Sequence, residues 1–319
     1  MNAGLQVLFH NEIFIKNFLN CKLDNKKIIS KNLLDLIGKF NNKEFLESKM
    51  NNQTMISNKY ISPYIFKTKF GALHQKFNNC EQQDAAEFLR VLLEDISNEN
   101  NTNKQNYEYK ELDYSNKNMK ESSLYFHSTF IKKENSFIVD NFYTQIINIF
   151  TCECNTVTYA FEKWLDIPLL LPKNTFNFYL TDLINCNFGP EIITFESICN
   201  GCKKKTLRTR YRKFDMLSNV IIFSIQRINL NDKTNNVSII HLTEKLELNR
   251  FSDENVNLSN LKYKLVSLIH HIGDYDSGHY FADIQINSYW YRFNDSVVER
   301  LDNLEINSDT VCILIYLKI

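Results

Sequence analysis

One stretch near the C-terminal end of the sequence combines a histidine with amide and carboxylate side chains at a spacing that suits catalysis. In DYDSGHYFADIQINSYWYRFNDSVV, His279 opens one run typical of a β-strand, and Asn294 and Asp295 close the next run. If the two runs pair as a hairpin, the imidazole of His279 lies near the Asn294 side chain. An imidazole that is oriented through one nitrogen can act as a general base through the other. A lone histidine is more often structural, so both interpretations stay open on these residues alone.

The cysteines are the second group of side chains that could do chemistry. Four of the eight form two close pairs, Cys152 with Cys154 in FTCECNTV and Cys199 with Cys202 in SICNGCKKK. Two thiolate pairs presented by separate turns are how structural tetrahedral zinc sites are built, so the spacing predicts zinc at these four residues. Gly201 suits a turn that requires positive φ. The first pair is one residue shorter than the usual C-x-x-C, and four unrelated thiols are the alternative.

The elements that must position these groups divide the chain into a helical part and a strand-rich part. The opening MNAGLQVLFHNEIFIKNFL predicts one amphipathic helix that starts at residue 1. The segment EQQDAAEFLRVLLEDI predicts another helix with one buried stripe. The stripe consists of Ala85, Phe88, Leu89, Leu92 and Ile96. The polar, Asn-rich segment 97–123 is predicted to be a loop or an insertion.

The second half of the sequence favours strands. VIIFSIQRI, KYKLVSLIHHI, HYFADIQI and VCILIYLKI are short, rich in β-branched and aromatic residues, and partly alternating. Helices followed by strands predict an α+β fold with an antiparallel sheet in the C-terminal part. The 319 residues are enough for one large domain or two ordinary ones.

Composition narrows the function classes. Lys+Arg and Asp+Glu both number 37, so there is no global field to attract nucleic acid or an anionic membrane. No apolar run approaches the ~18 residues of a membrane helix. No signal peptide is recognisable, and reduced thiols are therefore expected.

Taken in order, these segments resemble the catalytic domain of the ubiquitin-specific proteases, which are papain-like cysteine peptidases. MNAGLQVL is similar to the end of that family's cysteine box, and QQDAAEFL to its glutamine-aspartate box. The two cysteine pairs, NVIIFSIQRI, the Gly-His-Tyr run and WYRFNDSVV follow in the family's order. The resemblance implies a single domain over 1–319 with thumb-palm-fingers architecture. It has a helical thumb at 1–98, a polar insertion at 97–123, zinc-ribbon fingers at 145–225 and a palm in the remainder.

The resemblance also implies roles for particular residues. His279 would be the general base, Asn294 the residue that orients it and Asp295 an assisting acidic neighbour. The resemblance also implies a set of substrate-binding residues, namely Gln83, Asp84, Glu87 and Tyr280. Asp84 and Glu87 would contact the basic tail of ubiquitin, and Tyr280 would line the channel for its last glycines. Without the resemblance, the acids are simply a solvated helix face. The implied reaction is hydrolysis of the bond after the C-terminal glycine of ubiquitin, through an acyl-enzyme.

In the family the nucleophilic cysteine lies two residues before the methionine that corresponds to Met1. We therefore expect either a chain truncated just after the cysteine box or an inactive ubiquitin-binding pseudoprotease. Truncation is favoured because the adjoining residues are retained. Cys21 and Cys80 are not expected to replace the nucleophile, so the 319-residue chain is expected to be inactive.

A nucleic-acid-binding protein is the alternative from another class, based on the basic segment KKKTLRTRYRK. Zero net charge and the lack of a base-stacking motif argue against it. We expect ubiquitin or ubiquitinated proteins as partners, no nucleic acid or membrane, a monomeric state, and a cytoplasmic or nuclear location.

Overall fold

The helices of the protein precede most of its strands, as the sequence predicts. The computed structural model describes residues 1–40, 60–79, 81–103, 118–172, 176–194, 198–229, 234–252, 261–274 and 277–319. The helices in these ranges are α1 (Asn2–Phe9), α2 (Glu12–Leu19), α3 (Ile28–Phe40), α4 (Tyr64–Leu73), α5 (Ala85–Glu99), α6 (Met119–Lys133), α7 (Phe137–Phe142) and α8 (Leu180–Phe188). No helix in the described part of the chain is long and apolar enough to cross a membrane.

The opening segment forms two helices, so the prediction of a single one is wrong. Helix α1 ends at Phe9 with His10 as its C-cap, and the side chain of Asn11 accepts a hydrogen bond of 2.9 Å from the Phe14 N–H. An asparagine that bonds the backbone in this way starts a new helix instead of continuing the old one. The change of direction lets both apolar faces reach one core.

Helix α5 confirms the predicted buried stripe, since all five residues of the stripe are buried. The predicted loop at 97–123 is wrong at both ends. Residues 97–99 still belong to α5, and 119–123 begin α6. Asn118 and Glu121 form a reciprocal capping box there, which the sequence analysis missed because the surrounding residues are polar. The central residues, 104–117, lie outside the described ranges.

Most of the strands form two sheets. The strands are β1 (Thr144–Cys152), β2 (Val157–Trp164), β3 (Ile167–Leu170), β4 (Asn177–Tyr179), β5 (Glu191–Thr194), β6 (Leu207–Met216), β7 (Val220–Gln226), β8 (Ile228–Asn229), β9 (Thr234–Asn235), β10 (Ile239–His241), β11 (Lys245–Glu247), β12 (Lys262–Gly273), β13 (Gly278–Ile286), β14 (Tyr289–Asn294), β15 (Val297–Leu301), β16 (Asn307–Ser308) and β17 (Val311–Lys318).

The larger sheet has the order β15-β14-β13-β12-β17-β7-β3, with β11 beside β12. All its pairs are antiparallel except β3 with β7. One core lies between helices α1–α5 and α7 and one face of this sheet, where Leu8 and Phe88 pack with Ile269 and Ala282. This packing brings the start of α1 to the edge of the sheet that carries His279.

The second sheet has the order β2-β1-β6-β5 and is antiparallel throughout. It carries both cysteine pairs at one end. At the other end Ile146 and Phe214 join a second core, which also includes α8 and the opposite face of the large sheet. Most helices pack on one face of a largely antiparallel sheet, and α8 packs on the other face together with the base of the second sheet, which confirms the predicted α+β class.

Candidate active site and metal centre

His279 and Asn294 are in direct contact. Strands β13 and β14 pair as the predicted hairpin, with Ala282 opposite Phe293. At its open end Nε2 of His279 lies 2.5 Å from Oδ1 of Asn294. An amide oxygen only accepts, so Nε2 carries the proton and Nδ1 remains free to take one. The predicted proximity is confirmed, whereas the catalytic role of the pair stays a prediction.

Gly278 has a steric reason to precede the histidine. A Cβ at this position would lie 2.4 Å from Nε2 of His271 and 2.6 Å from the carbonyl oxygen of Ile272. The neighbouring strand therefore approaches closely only because residue 278 has no side chain. This close approach fixes the position of the backbone at Gly278 and therefore of the neighbouring His279.

Asp295 connects the turn after β14 to the start of α1. Its backbone has a φ of 50°, and its Oδ1 accepts a hydrogen bond of 2.8 Å from Nδ2 of Asn2. The first residues of α1 and His279 consequently line the same cleft of about 420 Å³. Since the N-terminal end of a helix favours negative charge, a thiolate placed there would be stabilised.

No cysteine among the described residues lines this cleft. Cys21 follows the end of α2, where its thiol donates to the Asn17 carbonyl and burial raises its pKa. Burial also raises the pKa of Cys312, whose thiol donates to the Ile269 carbonyl. Cys80 lies outside the described residues.

The four predicted substrate residues are not equivalent. Gln83 and Tyr280 line the cleft of His279, and Tyr280 packs against His271 with ring centroids 4.5 Å apart. Asp84 lies beside Tyr280 in a small adjoining cavity of about 40 Å³. Glu87 lines neither cavity and instead forms an ion pair with Lys76.

The structure adds two features that the sequence analysis missed. Asp84 is the N-cap of α5, because its Oδ1 accepts a hydrogen bond of 2.7 Å from the Glu87 N–H. The D-x-x-E spacing is a known signal for a helix start and could have shown this. Lys67 of α4 lies half-buried in the cleft opposite His279. Nothing in its local sequence pointed there, because the contact depends on how α4 packs.

The four paired cysteines come together at the tip of the second sheet. Their sulfurs lie within 4.8 Å of one another, with 3.9 Å between Cys152 and Cys202 and 3.7 Å between Cys154 and Cys199. A Zn–S bond of about 2.3 Å implies sulfur separations of about 3.8 Å in a regular tetrahedron. The predicted site is confirmed, and the residues fit a structural zinc ion.

The reason predicted for Gly201 is wrong. The left-handed residues of the two turns are Asn155 and Lys203, with φ of 64° and 59°, whereas Gly201 has no positive φ. Glycine is instead required for space, since a Cβ at residue 201 would lie 2.0 Å from Oγ1 of Thr156. The shorter pair closes its turn through a 2.8 Å hydrogen bond from the Asn155 N–H to the Cys152 carbonyl.

A helical lobe against an antiparallel sheet, with a histidine-amide pair in the cleft between them, is the arrangement of papain-like cysteine peptidases. A family model described as ubiquitin carboxyl-terminal hydrolase matches residues 1–316. The chain belongs to this family.

Curated relatives agree with the family assignment. Ubiquitin carboxyl-terminal hydrolase 2 of Gallus gallus is 27% identical over 276 residues, which covers 82% of this chain and 76% of the relative. The Homo sapiens protein of that name is 27% identical over 286 residues, covering 82% and 45%. Ubiquitin carboxyl-terminal hydrolase 21 of Rattus norvegicus is 25% identical over 282 residues, covering 78% and 49%. The chain thus spans less than half of these two mammalian relatives.

Solved structures share the fold. The SAGA Ubp8/Sgf11/Sus1/Sgf73 DUB module bound to ubiquitin aldehyde matches with a TM-score of 0.75 and 18% identity, over 100% of this chain and 67% of that chain. The module bound to monoubiquitin matches with a TM-score of 0.73 and 18% identity, over 100% and 66%. Both matches extend over the helical lobe and both sheets.

Proposed function

We propose that this chain is the catalytic domain of a thiol-dependent deubiquitinase, which hydrolyses the bond after the C-terminal glycine of ubiquitin. The observation that carries the proposal is the His279–Asn294 pair, which shares a cleft with the start of α1 and with Gln83 and Tyr280. The ubiquitin-bound modules that share the fold support ubiquitin as the substrate.

In this proposal Asn294 holds the imidazole through Nε2, and Nδ1 removes the proton from a thiol at the start of α1. The thiolate attacks the carbonyl carbon of the last glycine, and the leaving amine takes the proton from His279. Water then hydrolyses the acyl-enzyme, with His279 again acting as the base. An amide orients the ring but stabilises imidazolium less than a carboxylate would. Asp295, which lines the same cleft, supplies negative charge there.

The 319-residue chain itself is proposed to bind ubiquitin without hydrolysing it. The observation that favours this second function is that no described cysteine lines the cleft of His279. A base without a nucleophile leaves only a small residual rate. We propose that a thiol placed at the start of α1 would complete the apparatus.

The test adds the missing group to the chain. A Cys-Tyr dipeptide placed before Met1 should make the protein react covalently with an electrophilic ubiquitin probe, whereas a Ser-Tyr dipeptide should not. The unextended chain should remain unlabelled, and labelling at any of its own cysteines would contradict the proposed placement. Failure of the Cys-Tyr form to react, although it binds ubiquitin, would favour the binding function over the peptidase.

A matched pair of histidine variants tests the base. In the extended chain, His279→Ala should abolish turnover of a ubiquitin C-terminal substrate. His241 provides the control, since its Nδ1 lies 2.6 Å from Oδ1 of Asn307 on a small sheet away from the cleft. His241→Ala should therefore keep its activity. Equal activity of the two variants would overturn the role proposed for His279.

A further inference from the structure

Two turns carry the paired cysteines, a longer one with Cys199 and Cys202 and a shorter one with Cys152 and Cys154. The two turns hold their sulfurs in different ways. In the longer turn the donors are backbone groups, with the N–H of Cys202 and of Gly201 directed to Cys199, and the N–H of Lys204 directed to Cys202. A C-x-x-C turn presents its N–H groups to the sulfurs through its own geometry. This pair therefore needs no help from other side chains.

In the shorter turn threonine hydroxyls act on both sulfurs. Oγ1 of Thr206 lies 3.1 Å from Sγ of Cys152, and Oγ1 of Thr156 lies 3.2 Å from Sγ of Cys154. A metal-bound thiolate only accepts, so each hydroxyl would be the donor when zinc is bound. The N–H of Thr156 also donates to Cys154. Each sulfur of the C-x-C pair thus has its own hydroxyl donor.

The sulfur of Cys154 depends most on such a donor. Cys154 is exposed, whereas Cys152 is buried with 2% of its surface accessible. An exposed thiolate has fewer protein contacts to fix its direction, and water competes for its lone pairs. The hydroxyl of Thr156 is anchored at the first residue after the turn and restricts that freedom.

Gly201 keeps the space for this hydroxyl. A Cβ at residue 201 would lie 2.0 Å from Oγ1 of Thr156 and 3.3 Å from Sγ of Cys154. The collision is with the end of one side chain, so Thr156 would have to rotate away from the sulfur. The glycine of the longer turn and the threonine of the shorter turn therefore act as one unit.

We propose that Thr156 and Thr206 are positioning residues of the zinc site, whose hydroxyls orient the sulfurs of the short C-x-C pair and compensate for its missing residue. Partners of this kind typically change metal affinity by about 10- to 100-fold when they are removed. The inference concerns metal binding alone and does not depend on the proposed peptidase function.

The experiment measures zinc affinity of the purified 319-residue chain by competition with a chromogenic chelator. Thr156→Val and Thr206→Val, which remove the hydroxyl but keep the shape, should each weaken zinc binding by about 10-fold or more. Thr156→Ser should restore most of the affinity because the hydroxyl returns. Thr151→Val on β1 is the matched control and should bind zinc as the parent does, since its hydroxyl has no described bond to a sulfur.

Substitution by Co²⁺ provides a second readout. The parent and both valine variants should show one tetrahedral four-thiolate cobalt spectrum, with the charge-transfer bands shifted in the valine variants. Gly201→Ala should weaken zinc binding as Thr156→Val does. The double variant Gly201→Ala/Thr156→Val should bind zinc only slightly more weakly than either single variant. Parent-like affinity in both valine variants would overturn the proposal. Equal weakening in Thr156→Ser and Thr156→Val would also overturn it, because packing and not the hydroxyl would then be responsible.

Discussion

Asp84 combines two roles that the sequence could not separate. Its carboxylate caps α5 through the Glu87 N–H, and it lies beside Tyr280 in the cavity next to the cleft. A carboxylate held by a backbone N–H keeps one oxygen free for a positively charged ligand. The residue can therefore serve both the helix and a basic ubiquitin tail.

Two substitutions at Asp84 separate these roles. Asn is as good an N-cap as Asp, so Asp84→Asn should keep the free energy of unfolding and weaken ubiquitin binding through the lost charge. Asp84→Ala should lose ubiquitin affinity and also about 0.5–2 kcal/mol of stability. Denaturant unfolding and ubiquitin titration measure the two effects. Unchanged affinity in both variants would return Asp84 to a purely structural role.

His127 and Lys163 form a pair of basic groups between α6 and β2. Nζ of Lys163 lies 2.9 Å from Nδ1 of His127. Burial, and secondly the charge of Lys163, lower the pKa of His127 below its ordinary 6.5. Burial lowers the pKa of Lys163 to about 8, although Asp215 opposes this. At neutral pH the ammonium group therefore donates to a neutral imidazole.

This pair predicts a loss of stability in mild acid. As pH falls through 6.5, the unfolded chain takes up a proton on His127 before the folded chain does, so unfolding is favoured. His127→Gln keeps an acceptor for Lys163 and does not titrate. Its melting temperature should fall less than that of the parent between about pH 7 and about pH 5. Identical pH profiles would show that the pair does not contribute.

Helix α5 is tied to the large sheet by one ion pair. Both oxygens of Asp166 accept hydrogen bonds from Arg90, at 2.7 and 2.9 Å, and Oδ2 also accepts one of 2.7 Å from Ser224 of β7. Asp166 follows β2, so the contact joins three elements. Because Asp84, one of the predicted substrate residues, is the N-cap of α5, we expect this ion pair to help position it relative to Tyr280.

Asp166→Asn should therefore affect both stability and ubiquitin binding. Asp166 is only 9% exposed but Arg90 is 40% exposed, so we expect a loss of about 1–3 kcal/mol and not the full cost of a buried pair. Glu191→Gln is the control, since the Glu191 side chain is 52% exposed, against 9% for Asp166, and its pair with Arg210 should contribute less than about 1 kcal/mol. Equal effects in the two variants, measured by chemical denaturation, would contradict this role of Asp166.

The second sheet should depend on its metal. Against the lowering effect of the Lys204 N–H, burial and then the neighbouring sulfurs raise the pKa of Cys202 to about 11. The hydroxyl of Thr156 helps lower the pKa of Cys154 to about 6. The Cys202 thiol thus resists ionisation beside the other sulfurs, and a bound cation would neutralise their charge. Metal analysis should give one zinc per chain, and a chelator should lower the melting temperature. Negligible zinc with unchanged folding would show that the site has lost its metal.

At the scale of the whole molecule, two cores meet on opposite faces of one large sheet. The first core joins the helical lobe to β12 and β13, and the second joins α8 and the base of the second sheet to β7 and β17. The sheet is therefore the rigid element against which the cleft and the zinc-bearing tip are both positioned. Neither core requires a second copy of the chain.

We expect the 319-residue chain to be a monomer that binds one ubiquitin. Sedimentation velocity should give a species of 37.8 kDa, and addition of ubiquitin should produce a 1:1 complex. His279→Ala should not prevent this complex, because the base acts on the bond and not on the folded part of ubiquitin. A stable homodimer would contradict the expected state.

The sequence alone was enough to predict the helical and strand-forming segments, the cysteine pairs and the hairpin that brings His279 to Asn294. These features depend on residues that are near in sequence or on motifs with fixed spacing, so local physical chemistry specifies them. The break at Asn11 and the start of α6 at Asn118 were also local, and the capping signals in the sequence were sufficient to find them.

The surroundings of these groups depend on the tertiary structure. The half-buried position of Lys67 in the cleft, the ion pair of Asp166 with Arg90, and the approach of Thr206 to Cys152 join residues far apart in sequence. Such contacts follow from the packing of whole elements against a common sheet. No local pattern encodes them, because the free energy that fixes each one is shared among the many side chains of the two cores.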